Sequence, residues 1–472
     1  MKRILVYSLL ASTLLWVACD EQLELEPEQT LSTSSAFADE LSAQGSLIGV
    51  YSLAQDLEVF GSMPQVIAEY QPDNVNFVGS FPTLQEINTY TTLADNASIE
   101  GIWRDNYEVI LTANAVIANV PTVEDPGFTD DERAQFVAEA KFMRAMVYFQ
   151  LVNLFAYSYP QADGSNLGVP LLLDPFEGEV VFPERATLDQ VHTQIQQDLQ
   201  EAVDDLPVTY GDAALTRGRA TQGAARALLS RLHLYRGEWQ QAADLARAVI
   251  DAEEYALASN YSFYNQNSTE AVFSLQNSAT DNGVTGSGGW SSYYNPAERG
   301  GRGDAPFSQD LIDAYLEEEN DLRFTSLIQY SPDSTAIFTA KFPDAATDAD
   351  NVPLIRVTEM YLNLAEALAE LNGVNQESLE LVNALRERAG LAPFTTAQFG
   401  GADAFIQAIL DERRKELAFE GHRRMDLLRK GLPLRTSGPQ AGESDPGDSK
   451  TILNIPQREI DINPELVQNP GY

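Results

Sequence analysis

The chain has 472 residues, 44% of them hydrophobic, enough to fill a sizeable core, which excludes a disordered polymer. Seventy acidic residues against thirty basic ones give a formal net charge of −40. That excess excludes nucleic acid as a partner and disfavours other polyanions, because the few cations would have to gather on one face to offset it.

Lys2 and Arg3, followed by an apolar run from Ile4 to Ala18, read as an export signal over residues 1–18, too short to span a bilayer comfortably. Cys19 is the only cysteine, so no disulfide forms within one chain. Directly behind the apolar run, it stands where bacterial lipoproteins are cleaved and acylated; a spare thiol is the alternative. The acidic, then Ser/Thr-rich stretch over 19–35 predicts a solvated tether. The rest of the sequence has no run of apolar residues long enough to cross a membrane, so it is expected outside the bilayer.

Residues 57–100 are rich in Gly, Ser, Asn, Asp and aromatics, the texture of loops that carry function. Within them EYQPDNVNFVGSF, residues 69–81, offers Asp73, Asn74, Asn76, Phe77 and Phe81. Helical periodicity takes over in EAKFMRAMVYFQLVNLF, residues 139–155, where Phe142, Met146, Phe149 and Val152 recur at three and four. Thr187 as N-cap and Pro207 as stop predict a helix over 188–206. Thr221 to Ala252 holds two helices around a turn at Arg236, Gly237 and Glu238, and Ala225, Ala242 and Ala246 allow them to approach closely. Residues 253–350 return to loop texture, with AVFSLQ at 271–276 as a short strand. A second helix pair runs from Arg356 to Ala389 and turns near Asn372 and Gly373. These pairs resemble tetratricopeptide repeats, irregularly spaced, so they predict a partial solenoid embedded in something larger.

In the glycine-rich stretch 279–305, Trp290, Tyr293 and Tyr294 form a candidate carbohydrate platform, because flat aromatic faces attract the polarised C–H bonds of a sugar ring. The same rings could instead fold under the loop as its private core. GVTGSGG, residues 283–289, is no phosphate loop, since no Lys-Ser or Lys-Thr follows it. Asp344, Asp348 and Asp350 lack the Gly and Glu spacing of a calcium loop and predict a solvated acidic turn. His192, His233 and His422 have no partner at metal-ligand spacing, and no nucleophile elbow is present. No metal, cofactor or catalysis is therefore expected.

ERRKELAFEGHRRMDLLRKG, residues 412–431, holds seven of the thirty cations. Ile406, Ile409, Leu410 and Leu417 mark the buried stripe of a helix, and steps of three and four put Arg413 and Glu420 on that stripe. Charges in a core need partners, so Arg413, Glu416, Glu420 and Asp426 are expected to form a buried ion-pair network, with the island balanced locally and Gly421 ending or bending the helix.

This stretch also resembles the C-terminal signature of the SusD/RagB family of surface lipoproteins. Further segments agree with that family in order: WRDNYEVILTANAVI from Trp103, AEAKFMRAMVYFQLVNLF from Ala138, NLGVPLLL from Asn166, RATLDQVHTQIQQDLQEAVDDLP from Arg185, RGRATQGAARALLSRLHLYRGEWQQAADLA from Arg217, VPLIRVTEMYLNLAEAL from Val352 and LNIPQREIDINPELVQNPGY from Leu453. The resemblance implies an all-α scaffold of tetratricopeptide-like helix pairs with a large loop-rich ligand-binding face, a single SusD-like domain over 36–472 with inserts around 57–100 and 253–350. It implies a lipoprotein on the outer membrane that captures glycan and hands it to a SusC-like TonB-dependent transporter, with no catalysis. Family ligand sites lie on such loops without a shared motif, so Asp73, Phe77, Phe81, Trp290, Tyr293 and Tyr294 are the expected contacts from composition. The net charge points to a neutral glycan, unless Arg299 and Arg302 form a local clamp. Capture of peptides for a similar transporter, a tetratricopeptide-type interaction scaffold and a surface glycosidase are the alternatives.

Overall fold

The computed structural model describes residues 33–159, 166–283 and 287–472, so the expected export signal, Cys19 and nearly all of the expected tether lie outside the described residues. Helix α1 (Glu40–Ala54) opens behind Asp39, whose carboxylate accepts from Ser42 N at 2.9 Å. A π-helical turn at Leu57–Gly61 leads to α2 (Met63–Tyr70) and α3 (Pro82–Asn88), which flank an irregular stretch. The long helices α4 (Ala97–Asn119) and α5 (Asp130–Phe155) and then α6 (Leu188–Asp205) follow. Phe142, Met146, Phe149 and Val152 of α5 are all buried, as the apolar period requires. Thr187 caps α6 through Gln190 N, and Gln190 returns the bond to Thr187 N, a reciprocal capping box.

Helices α7 (Gln222–Arg236) and α8 (Trp239–Ile250) turn at Gly237, which sits at φ +73 where a side chain would be strained. Ala225, Ala242 and Ala246 are buried, and the helices come close enough for Ser230 Oγ to donate to Ala242 O at 2.9 Å. The second pair is α11 (Val357–Asn372) and α12 (Gln376–Arg388), to be read after the inserted elements α9 (Trp290–Tyr294) and α10 (Gln309–Leu316). Helices α8 and α11 pack together, so the two pairs form one stack. Helices α13 (Ala402–Leu417) and α14 (Arg423–Arg429) close it. Among the described residues the strands form two small antiparallel ribbons, β1 (Ala271–Leu275) with β4 (Val352–Arg356) and β2 (Ile328–Tyr330) with β3 (Ile337–Thr339), and single bridges such as Val75 to Phe307 join loop segments. The architecture is a tetratricopeptide-like helix-pair scaffold carrying a loop-rich face.

The basic island is built differently from the local balance expected of it. Arg413 is fully buried and grips both oxygens of Asp426 at 2.8 Å, the one pairing that stays near in sequence together with Arg429 to Asp426 at 3.0 Å. Glu416 and Glu420 turn away from Arg413. Glu416 accepts from Arg388 at 2.8 Å, and Glu420 accepts from Arg356 and Lys341 at 2.7 Å each. Burial pushes the Glu420 carboxyl up, but the charges of Arg356 and Lys341 outweigh it and hold it at about 2. The partners come from the end of α12, from β4 and from the loop after β3, so the island stitches remote segments to the scaffold. Helix α13 stops at Leu417, before Gly421, because Phe419 already takes φ +67.

Candidate functional site

The stretch between α2 and α3 is held as a rigid edge. Asn76 N donates to Pro306 O and Val78 N to Asp304 O, each at 2.9 Å, and Ser308 N donates to Asn74 O at 2.9 Å, so residues 74–78 run antiparallel to 304–308. Beneath it, Asp73 takes a two-pronged grip from Arg423, 2.6 Å at each oxygen, and Arg414 reaches Asn74 Oδ1 at 2.9 Å. Burial pushes the Asp73 carboxyl up, yet the Arg423 bond and charge prevail and keep it below the usual carboxylate range. Glu69, fully buried at the end of α2, accepts from Asn74 Nδ2 at 2.8 Å and from Gly421 N at 3.1 Å. Burial raises it to about 7, and the bonds from Asn74, Phe419 N and Gly421 N pull the other way. The edge and the α13–α14 turn therefore share one buried anchor.

This anchoring presents Phe77 half-buried, with Val78 60% and Phe81 53% exposed. Phe77 lies 5.0 Å from the Tyr70 ring, which fixes its plane. Two clefts open on either side of it. One, of about 580 Å³, is lined by Phe77, Val78, Pro82, Gln85, Asn88 and Thr91 among others. The other, of about 540 Å³, is lined by Asn76, Phe77, Asn88, Gln309, Arg435 and Gln440 among others. Phe77 and Asn88 belong to both, so the clefts meet at that ring. The charges at their walls are occupied: Asp310 by Arg414 at 2.6 Å, Glu86 by Asn96 Nδ2 at 2.7 Å, and Arg435 by Pro72 O at 3.1 Å and Gln440 Oε1 at 3.0 Å. What the clefts offer is an aromatic face, short apolar walls, amides and hydroxyls.

The six expected contacts separate. Phe77 and Phe81 face the clefts and their rim. Asp73 lines the second cleft beside Phe77, but Arg423 holds both oxygens of its carboxylate, so it also anchors the edge. Trp290, Tyr293 and Tyr294 do not form an open platform. They sit on α9 at positions one, four and five, all three buried, with Trp290 5.4 Å from Phe342 and Tyr294 5.3 Å from Phe419. Their faces are taken by neighbouring rings, which is the private-core alternative. Arg302 does not clamp an anion either: it lies 4.8 Å from the Tyr293 ring and 5.3 Å from the Phe81 ring and pairs with Asp304 at 2.9 Å. Of the three carboxylates in the acidic turn only Asp344 is solvated, and it is half-buried. Asp348 and Asp350 are buried and accept from Ser292 and Ser291 of α9 at 3.1 and 2.8 Å. Burial raises both carboxyls. Among the described residues no group of three or more His, Cys, Asp or Glu is placed to hold a metal, and no helix is long and apolar enough to cross a membrane. Residues 82–91 belong to the stretch 57–100 expected to carry function, though none of them is named in advance, while 437–440, SGPQ, has an ordinary turn composition that gives no signal.

The chain is similar in sequence and fold to known proteins. Residues 334–472 match the SusD family model, and residues 21–234 match a SusD-like family model described as starch-binding associating with outer membrane. SusD-like protein P25 of Formosa agariphila is 26% identical over 533 residues, covering 96% of this chain and 97% of its own. A SusD superfamily protein of Bacteroides thetaiotaomicron superposes with a TM-score of 0.82 at 27% identity, covering 91% of this chain and 99% of its own. A laminarin-binding SusD-like protein superposes with a TM-score of 0.74 at 26% identity, covering 92% of this chain and 100% of its own.

Proposed function

The chain belongs to the SusD/RagB family, and from that premise we propose that it is a surface lipoprotein, acylated at Cys19, that captures an oligo- or polysaccharide without cleaving it and passes it to a SusC-like TonB-dependent transporter of the outer membrane. The observation that carries the reading is the pair of clefts meeting at Phe77, lined by amides, hydroxyls and an aromatic face, with the wall charges already hydrogen-bonded within the protein. Such a lining suits a ligand with many hydroxyls and no charge: the ring stacks on the C–H face of a sugar while the amides exchange hydrogen bonds with its hydroxyls. The net charge of −40 adds a long-range preference against acidic glycans. Starch and laminarin, named for the relatives, are uncharged glucans of that kind.

The test is affinity electrophoresis of residues 20–472 through gels containing neutral and acidic polysaccharides, at low and high salt. Retardation by a neutral glycan at both salts, with no reducing sugar released from it, supports capture. Release of sugar would make the protein a glycosidase, and migration unchanged in every gel would remove the glycan reading.

A further inference from the structure

Residues 171–184, LLLDPFEGEVVFPE, run from α5 to α6 without regular structure, yet both ends are fastened to the scaffold. At the first end the Tyr148 hydroxyl donates to Leu172 O at 2.8 Å and accepts from Leu172 N at 2.7 Å, while Asn114 Nδ2 donates to Leu172 O and Asp174 O. At the second end Arg185 is a hub: it donates to Gly168 O at 2.7 Å, Val467 O at 3.0 Å and Asn469 Oδ1 at 2.8 Å, and Asn463 Nδ2 donates to Pro183 O at 2.9 Å. The strap is thereby laid beside the C-terminal residues 462–467.

Between these fastenings the strap carries what a surface loop ordinarily avoids. Phe176 is 63%, Val180 71% and Val181 64% exposed, with Leu173, Phe182 and, across the Asn463 contact, Ile462 and Val467 exposed beside them. Among the described residues none of the backbone groups of 175–182 has a hydrogen-bond partner. Asp174, Glu177, Glu179 and Glu184 interleave with the apolar side chains, and none of the four is in an ion pair among the described residues. A run of exposed apolar side chains of this kind marks a contact surface, and the carboxylates decide what it contacts. An anionic lipid surface and a second copy of this acidic chain would both be repelled.

We propose that the strap 171–184, with Ile462 and Val467, is the docking face for the transporter, and that the transporter meets it with an apolar depression rimmed by Lys and Arg; the assignment rests on the transporter reading given above. The face shares no lining residue with the clefts at Phe77, so docking and glycan capture are separable by mutation.

The experiment uses the full-length lipoprotein, tagged at its C-terminus and extracted from its own host in mild detergent, with co-purified protein identified by mass spectrometry. Wild type is expected to bring down a TonB-dependent transporter. The combined variant Phe176→Ser, Val180→Ser, Val181→Ser is expected to lose it at least tenfold while glycan retardation of the soluble form is unchanged. Glu177→Lys with Glu179→Lys, which touches no packed group, is expected to weaken recovery severalfold and to remove its sensitivity to salt. Undiminished recovery with both variants overturns the assignment and leaves the transporter reading standing. Wild type that extracts alone overturns both. A concentration-dependent dimer of the soluble wild type that the triple variant abolishes would give the face to a second copy and overturn the assignment to the transporter.

Discussion

Arg413→Ala isolates what the basic island does. The guanidinium is fully buried, holds both oxygens of Asp426 at 2.8 Å and donates to Asn363 Oδ1 at 2.8 Å. Removing one member of a buried ion pair costs about 3–5 kcal/mol, because the other charge stays behind unpaired. Here Asp426 keeps Arg429 at 3.0 Å, and Glu359, 3.8 Å from Arg413, keeps Arg231 at 2.6 Å. That places the loss at the lower end, about 3 kcal/mol, with a further contribution from the cavity that the side chain leaves. For a chain of this size, with about 2.1 cal/mol/K of unfolding entropy per residue, a loss of about 3 kcal/mol lowers the midpoint of thermal unfolding by about 3 °C. Differential scanning calorimetry measures that fall, and affinity electrophoresis below the transition checks that retardation by glycan persists, since Arg413 lines neither cleft. Arg413→Lys keeps the charge and loses the fork, so it falls between wild type and Ala. A variant with unchanged thermal stability and lost retardation would refute the structural role and make the island a binding site.

Glu366, Glu416 and Glu420 are each held at about 2, where burial alone would raise them, by Arg429, by Arg388 and Arg356, and by Arg356 and Lys341 respectively. Their folded-state values lie below the unfolded one of 4.5, so their contribution is complete above that pH and is lost as pH falls toward 2; urea midpoints should drop steeply between pH 4.5 and 2.5 and respond little to salt, whereas a flat profile would contradict the pairing. Glu69 has the opposite sign: its folded value of about 7 lies above 4.5, so its contribution is complete at low pH and lost as pH rises through 7. Glu69→Gln should therefore flatten the change in urea midpoint between pH 5 and 8, and an unaltered slope would mean that another group titrates there. Trp290→Ala removes a ring enclosed by Tyr294 and Phe342 and should lower stability by about 3–5 kcal/mol while leaving retardation of the folded protein intact; loss of retardation at full stability would return Trp290 to the site.

The helix pairs were legible because their signals are local: a period of three and four in α5, a cap at Thr187, a glycine at the α7–α8 turn. The partners of the basic island were not legible, because which opposite charge lies beside Arg423 or Glu420 depends on how Asp73 and Arg356, 350 and 64 positions away, are brought back by the fold. Composition drew attention to 69–81, where Phe77 lies between two clefts, and read 290–294 as an open platform, where the rings are in fact buried. In WSSYY the aromatic residues fall at i, i+3 and i+4, which is itself a helical face, and that spacing outweighs the flexibility suggested by the surrounding glycines. The pairing of Asp73 was hidden for a related reason: a carboxylate on a loop looks available until the cation opposite it, 350 residues away, is placed.

The central claim is that a glycan lies across Phe77, and isothermal titration of Phe77→Leu and Phe77→Ala with oligosaccharides of the glycan that retards the wild type tests it most directly. Leu keeps apolar packing against Tyr70 and loses the aromatic face, so a Kd raised at least tenfold with an unfolding midpoint near that of wild type is predicted, with Ala at least as weak. Equal Kd values for the wild type and both variants would place the glycan elsewhere on the molecule.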